Sequence, residues 1–395
     1  MMLRRAYLVV CAIVMSAAPP ASAEAGEAQV DKPVSPREIE ELRRQIEAET
    51  RSSLEVLVGA YGENGDLNNR LGLLRYGARF DLKLRSGRTA SVVATRTEYW
   101  TPERVLEAQG TRVALGLRSA ASEKVAPQIE LGLTRFSTNI TTVDGVASVS
   151  VRPVPAARLS LTASRSSVEE SLLSVAGIRP PLGPFAGELV GRVMENRVSL
   201  SGDWRLPHRL DVFGEASLGN RQGANVDSNF FKRAFGGVGF NAIAAEETRS
   251  LSLLRVSASI FYFGFTADRL GYGGASLLDR SYEPVPLDRL GSDRIPPAAS
   301  ALGPAVGGYF SPPRFVSTTG RVDARGRLAP SVSYSAYVFL GTQSYTGASR
   351  RRAAGFSGQL VFRLDERLSV PVTFVWDDFG PFTRYHMLLS LMVRL

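Results

Sequence analysis

The chain has 395 residues but only one cysteine and two histidines. Only four of its 47 basic residues are lysines: Lys32, Lys83, Lys124 and Lys232. The cysteine, Cys11, lies inside an apolar N-terminal stretch, Ala6 to Ala18, which follows Arg4 and Arg5 and precedes Ala21-Ser22-Ala23. A basic start, a short apolar run and small residues before the cleavage point are the architecture of a secretory signal. Cleavage is expected before Glu24, which leaves a mature chain with no thiol and so no disulfide, thiolate metal site or cysteine nucleophile. Val10 stands where a lipoprotein signal needs a small residue. Past the first 20 residues no apolar run approaches the ~18 residues that a membrane-spanning helix requires, so a helical membrane protein is excluded. No internal repeat of about 20–50 residues is visible either, which argues against propellers and solenoids.

With 44% apolar and 22% charged residues the composition is that of a folded chain rather than a disordered one. The net charge of +9 is spread. Arginines occur singly in apolar and Ser/Thr-rich runs, and the one dense group, Arg350-Arg351-Arg352, reads as a loop. A nucleic-acid partner is not expected from that scatter.

Ser35-Pro36-Arg37-Glu38 is a capping box with proline at the first helical position, followed by Ile39, Leu42 and Ile46 at helical spacing. One helix is expected over 36–51. From Ser53 onward the apolar period becomes two, as in Leu74-Tyr76-Ala78-Phe80-Leu82 and Leu254-Val256-Ala258-Ile260-Tyr262. Sixteen such segments can be marked, at 53–61, 69–85, 89–99, 108–118, 126–136, 144–152, 156–166, 187–204, 208–218, 231–244, 250–265, 309–326, 330–345, 352–363, 367–377 and 383–395. Soluble strands usually run about 5–6 residues, whereas membrane strands need about 9–11.

The connections alternate between longer polar loops, among them 167–186, 219–230 and 266–308, and tight turns. Even strand number with loops sorted to one rim is the plan of a transmembrane β-barrel. The last segment, with Tyr385, Met387, Leu389, Leu391, Val393 and Leu395 on one face, suits a closing strand that pairs with the first and removes the sheet edge. The expected fold is therefore all-β: a 16-stranded antiparallel transmembrane barrel at 53–395, preceded by a signal peptide at 1–23 and a periplasmic linker with one short helix at 24–52. The location implied is the outer membrane of a Gram-negative cell, with both termini periplasmic. The expected partners there are the membrane lipid and the barrel assembly machinery.

Arginine in hydrocarbon costs about 2–4 kcal/mol at mid-depth, so the polar phase must face the lumen. Arg75, Arg79, Asp81, Lys83, Arg112, Glu130, Arg255 and Arg384 fall in that phase. They describe a wet lumen of mixed charge with a basic bias, either an open channel or one filled by a plug. The loop at 266–308 is long enough to fold into the mouth.

A catalytic site is not expected. His208 sits in Leu206-Pro207-His208-Arg209, a turn. His386 lies in the lumen phase, where a barrel phospholipase would pair it with a serine, but Ser333, Ser335 and Ser390 are equally placed. Asp377-Asp378 reads as a solvated pair at a loop mouth, and no phosphate loop, HExxH or G-x-S-x-G occurs. No cofactor is implied.

Gly307-Gly308-Tyr309-Phe310-Ser311-Pro312-Pro313-Arg314-Phe315 is the most distinctive stretch. It resembles the GYFSPQ-x-[FY] signature in the C-terminal barrel domain of the cellulose synthase operon protein C family, and Val338 to Tyr345 resembles the strand that follows there. Pro313 stands where the family carries glutamine. The helix at 36–51 takes the place of the family's long tetratricopeptide array. The resemblance implies a sixteen-stranded outer-membrane pore through which a β-glucan leaves the periplasm, with a separate periplasmic scaffold as partner. Tyr309, Phe310, Ser311 and Arg314 are then candidates for glycan contact, beside the lumen arginines Arg75, Arg79, Arg112, Arg255 and Arg384. A corner after the long loop would account for Tyr309 to Pro313 equally well. Aromatic faces and arginines suit neutral or anionic glycans. The competing reading is a general porin, or a structural barrel without a dedicated substrate.

Overall fold

Alternation of apolar and polar side chains leaves each strand with one face for lipid and one for water, and only closure satisfies the backbone at both edges. The protein's computed structural model describes residues 51–65, 71–84, 87–101, 107–119, 124–179, 185–244, 250–267, 307–346, 348–380 and 382–395. Sixteen strands form one closed antiparallel barrel in which each pairs with its sequence neighbours and β1 pairs with β16. They are β1 (Ser53–Gly65), β2 (Gly72–Lys83), β3 (Thr89–Trp100), β4 (Glu107–Arg118), β5 (Val125–Phe136), β6 (Thr141–Val154), β7 (Ala157–Ser167) and β8 (Gly191–Arg205). Then come β9 (Leu210–Ala224), β10 (Val226–Ala244), β11 (Leu253–Phe265), β12 (Phe315–Ala329), β13 (Val332–Tyr345), β14 (Ala348–Arg363), β15 (Leu368–Phe379) and β16 (Phe382–Arg394). A four-residue helix, α1 (Leu172–Val175), lies between β7 and β8. The signal segment and the 36–51 helix lie outside the described residues.

The closing seam runs in unbroken register from Ser53 opposite Arg394 to Gly65 opposite Phe382. Apolar side chains meet across it on the outer face, Val56 with Leu391 and Val58 with Leu389, and all four are exposed. The same belt continues around the barrel through Leu115 with Leu131, Leu161 with Leu200, and Val338 with Phe356. The inward phase carries Ser, Thr and charged side chains that are buried, among them Thr97, Asp144, Glu195, Ser257 and Ser390. Among the described residues no helix is long and apolar enough to cross a membrane. The strands do the crossing.

Several connections differ from the sequence reading. The expected loop 219–230 is strand: β9 runs to Ala224 and β10 starts at Val226, joined through Asn225 at φ 49°. Alternation fades there because Gly219, Gly223 and Asn220 carry no apolar signal. Arg350-Arg351-Arg352 is likewise not a loop but the start of β14, where paired backbone tolerates long polar side chains beyond the lipid belt. Asp377 and Asp378 lie within β15 rather than at a loop mouth, and Asp377 is buried. Strand β12 begins at Phe315, not at 309. His208 does sit in a turn, with positive φ beside Arg209.

Candidate functional site: a lumen plug and an aromatic wall

The two long connections, 168–190 and 266–314, leave from the same rim. Their described parts fold into the barrel mouth and hold each other there. Helix α1 forms because Ser171 caps it: the Ser171 hydroxyl accepts from the Ser174 amide at 3.1 Å, and the Ser174 hydroxyl accepts from the amides of Ser171 and Glu170 at 2.9 and 3.1 Å. This is a capping box built from two serines. Its adjacent leucines face opposite walls. Leu172, with Val175 and Ala176, packs against Leu71, Leu73, Tyr99, Ala108 and Phe136 from β2 to β5 and the loop before β2. Leu173 joins Val193, Val226, Phe231, Phe263, Phe315 and Phe382 on the far side. One short helix thus bridges the two walls of the barrel mouth.

The second inward segment, 307–314, locks onto the first. The Ser171 hydroxyl donates to the Gly308 carbonyl at 2.7 Å, and the Phe310 amide donates to the Glu170 carboxylate. Gly308 has φ +65°, and a Cβ there would lie 2.6 Å from the Ser171 hydroxyl. Only glycine combines that backbone with that approach.

Charge fixes the assembly to the wall. Arg75 of β2 donates to Glu169 at 2.7 Å, and the Tyr99 hydroxyl donates to the same oxygen at 3.1 Å. On the opposite side Arg221 of β9 lies between Glu170 and Glu195 of β8, 2.9 Å from each, with its guanidinium carbon 4.7 Å from the Tyr309 ring centre. A buried charge is tolerable only when it is paired and hydrogen-bonded, and here wall and plug supply both signs.

Below the plug an aromatic path runs along one wall. Phe263 and Phe315 stack at 4.7 Å between ring centres. Phe261 follows at 5.6 Å from Phe263, Phe235 at 6.5 Å from Phe261, and Phe213 at 5.5 Å from Phe235. The first three rings are buried, while Phe235 and Phe213 keep partial exposure. Arg255 lies 4.9 Å from the Phe213 ring centre and donates to Asp211. The wall can carry these side chains close to the backbone because β10 has glycine beneath them: a Cβ at Gly237 would fall 2.6 Å from the Phe213 ring, and one at Gly239 2.5 Å from the Arg255 guanidinium.

The candidate residues from the sequence divide between these features. Tyr309, Phe310 and Ser311 are buried inside the plug rather than lining free lumen, while Arg314 is exposed and its amide donates to Thr346. Arg79 pairs with Asp81 at 2.9 Å, and Arg112 bridges Glu130 and Asp144 at 2.8 and 2.6 Å. Arg255 lies in the aromatic wall, and Arg384 is buried beside Phe382. Sequence reasoning missed Glu169, Glu170, Arg221, Phe213 and Phe235. The signal that was available is Glu169-Glu170 directly before a Ser-capped apolar turn, two carboxylates where a solvated loop needs neither. Among the described residues no His, Asp or Glu cluster is placed to hold a metal ion.

Comparison with known proteins adds the lineage. The family described as the cellulose synthase operon protein C C-terminus matches residues 66–274, just over half of the chain. The chain belongs to this family. The match covers β2 to β11 and the first inward loop, and it ends before the Gly307–Phe315 stretch that carries the resemblance in sequence. Among solved structures the barrel is similar to a bacterial polysaccharide outer membrane secretin, with a TM-score of 0.60 at 10% identity over 88% of this chain and 99% of that one. At that identity the likeness is one of fold. OccK11 of Pseudomonas aeruginosa (9% identity, 87% of this chain and 96% of that one) and OmpF of Salmonella typhi (8%, 88% and 98%) each match with a TM-score of 0.39. No curated protein matches the sequence. This member of the cellulose synthase operon protein C family is an outer-membrane β-barrel.

Proposed function

We propose that this barrel is a gated conduit through which a cellulose-like β-glucan leaves the periplasm. The observation that carries the reading is the pairing of an inward plug, clamped by ion pairs to two opposite walls, with a track of aromatic rings that begins at the plug and descends the lumen wall. Flat rings offer stacking faces to pyranose units, and neighbouring Arg–Asp pairs offer donors and acceptors to their hydroxyls. The lumen arginines Arg79, Arg112 and Arg255 are already matched by carboxylates, which favours a neutral glycan over an anionic one. Family membership supports the same substrate class.

On this reading residues 1–23 direct secretion and 24–52 lie in the periplasm. The assembly machinery inserts the barrel with both termini on the periplasmic side, and a separate scaffold delivers the glycan. The chain performs no chemistry on its cargo. A general porin would have little use for a mouth packed with buried phenylalanines. The test is secretion: cells lacking the gene should accumulate β-glucan in the periplasm, and the wild-type gene should restore it to the medium. Unchanged glucan secretion, with altered uptake of small solutes instead, would favour the porin reading.

A further inference from the structure

The outer face is asymmetric in a way that the lumen function does not use. Towards the turn rim the outward side chains stay apolar to the end of the strands: Val154, Trp204, Leu210 and Leu328 are all strongly exposed. Towards the loop rim the apolar belt stops early, and cations take over the same outward phase. Arg96 of β3, Arg135 of β5, Arg165 of β7, Lys232 of β10, and Arg350 and Arg352 of β14 are all exposed. Register ties several of them into rows. Thr111 of β4 sits between Arg96 and Arg135, and Arg165 is followed across the sheet by Asn196, Asn220 and Phe230.

These cations differ from those of the lumen. Inside, Arg75, Arg79, Arg112, Arg221, Arg233, Arg255 and Arg321 all meet carboxylates. Outside, none of the six forms an ion pair among the described residues. Three of them are held instead by neutral groups: Arg96 donates to the Gln109 side chain, Arg165 to Asn196 at 2.8 Å, and Arg350 to Thr342 at 2.9 Å. The acidic side chains on the strands of this band are Glu98, which accepts from the Tyr76 hydroxyl, together with Glu107, Asp378 and Asp227 at the loop-rim end of β10. Six cations against four carboxylates give the band a basic excess, aimed outward and directly above the hydrocarbon belt, where it suits anions at that height. Hydrogen-bonded guanidinium groups suit phosphate oxygens in particular.

We propose that this collar binds the phosphate groups of a phosphorylated glycolipid in the membrane leaflet that surrounds the loop rim. The occupant follows from continuity. Whatever lies against these side chains also lies against the apolar belt immediately below them, which makes it the head-group layer of the same lipid. Identifying that leaflet as the outer one rests on the orientation proposed above, but the binding itself does not.

The test uses the full mature chain in nanodiscs of zwitterionic lipid, titrated with lipid A carrying both phosphates and with its dephosphorylated form, and read by native mass spectrometry. The phosphorylated form should bind at least tenfold more tightly, and the advantage should shrink as salt is raised. Arg96→Gln, Arg135→Gln, Arg165→Gln and Arg350→Gln combined should abolish that advantage. Arg88→Gln, Lys124→Gln, Arg209→Gln and Arg367→Gln at the turn rim should leave it intact. If the combined collar variant does not assemble, Arg135→Gln and Arg165→Gln alone should each reduce the advantage, by about twofold or more. Equal binding of the two lipids to the wild type, or equal loss in the turn-rim variant, would overturn the proposal. Glucan secretion by the same variants is scored separately, so a failed lipid result leaves the export reading standing.

Discussion

Arg221 and Glu170 form an ion pair 2.9 Å long between the barrel wall and the plug, with both side chains almost fully removed from solvent. Glu195 completes it from β8. Breaking a buried pair from one side leaves an uncompensated charge, at a cost of about 3–5 kcal/mol. Glu170→Gln keeps the Glu195 contact and weakens only the plug's hold, whereas Arg221→Met strands two carboxylates. Planar-bilayer conductance should therefore rise in both, more in Arg221→Met, while the barrel keeps its heat-modifiable mobility on gels. Conductance equal to wild type in both variants would show that the plug does not depend on this clamp.

The closing strand offers a test of the faces. Leu391 is 40% exposed and opposite Val56, while its neighbour Ser390 is 3% exposed and points inward. Leu391→Arg places a charge against lipid and should cost about 2–4 kcal/mol near mid-membrane. Ser390→Arg can extend into the wet lumen and should assemble nearly normally. Folding yield into vesicles distinguishes the two, and equal yields would contradict the assignment.

Gly237 reports on the aromatic wall. A methyl group there meets the Phe213 ring at 2.6 Å and the Ala258 carbonyl at 2.5 Å. Gly237→Ala should lower stability by about 1–3 kcal/mol through overpacking, seen as a reduced unfolding midpoint in denaturant. In the Phe213→Ala background the ring contact is gone, so the penalty should shrink. An unchanged penalty would place the clash at the backbone alone.

Orientation can be read chemically, because residues 24–395 contain no cysteine. Ser228 is exposed at the loop-rim end of β10 and Ser331 in the turn between β12 and β13. On intact cells a membrane-impermeant maleimide should label Ser228→Cys and spare Ser331→Cys until the outer membrane is permeabilised. The reverse pattern would invert the barrel.

Period-two alternation made the barrel legible. Sixteen segments, the closing seam and the inward phase of Arg75, Arg112 and Arg384 follow from steric alternation and from the cost of charge in hydrocarbon. The ends of strands were less legible, since Gly219, Gly223 and Arg350 to Arg352 pair their backbones without contributing to the pattern. The plug was half legible. Its second segment stood out through Tyr309 and Phe310, but the resemblance that marked them could not say that they are buried. The first segment, read as the polar loop 167–186, hid its role because Glu169 and Glu170 resemble solvated residues until their partners Arg75 and Arg221, distant in sequence, are brought beside them. Long-range ion pairing leaves no local periodicity to read.

The central claim, a glucan conduit, is tested most directly by current block. Barrels released by Glu170→Gln are reconstituted in a planar bilayer, and β-1,4-glucan oligomers are added on the turn side. Passage along the aromatic wall predicts a concentration-dependent reduction of current that lengthens with oligomer size. Phe213→Ala with Phe235→Ala should weaken it at least threefold. A current that glucan oligomers of every length leave unchanged would contradict the account.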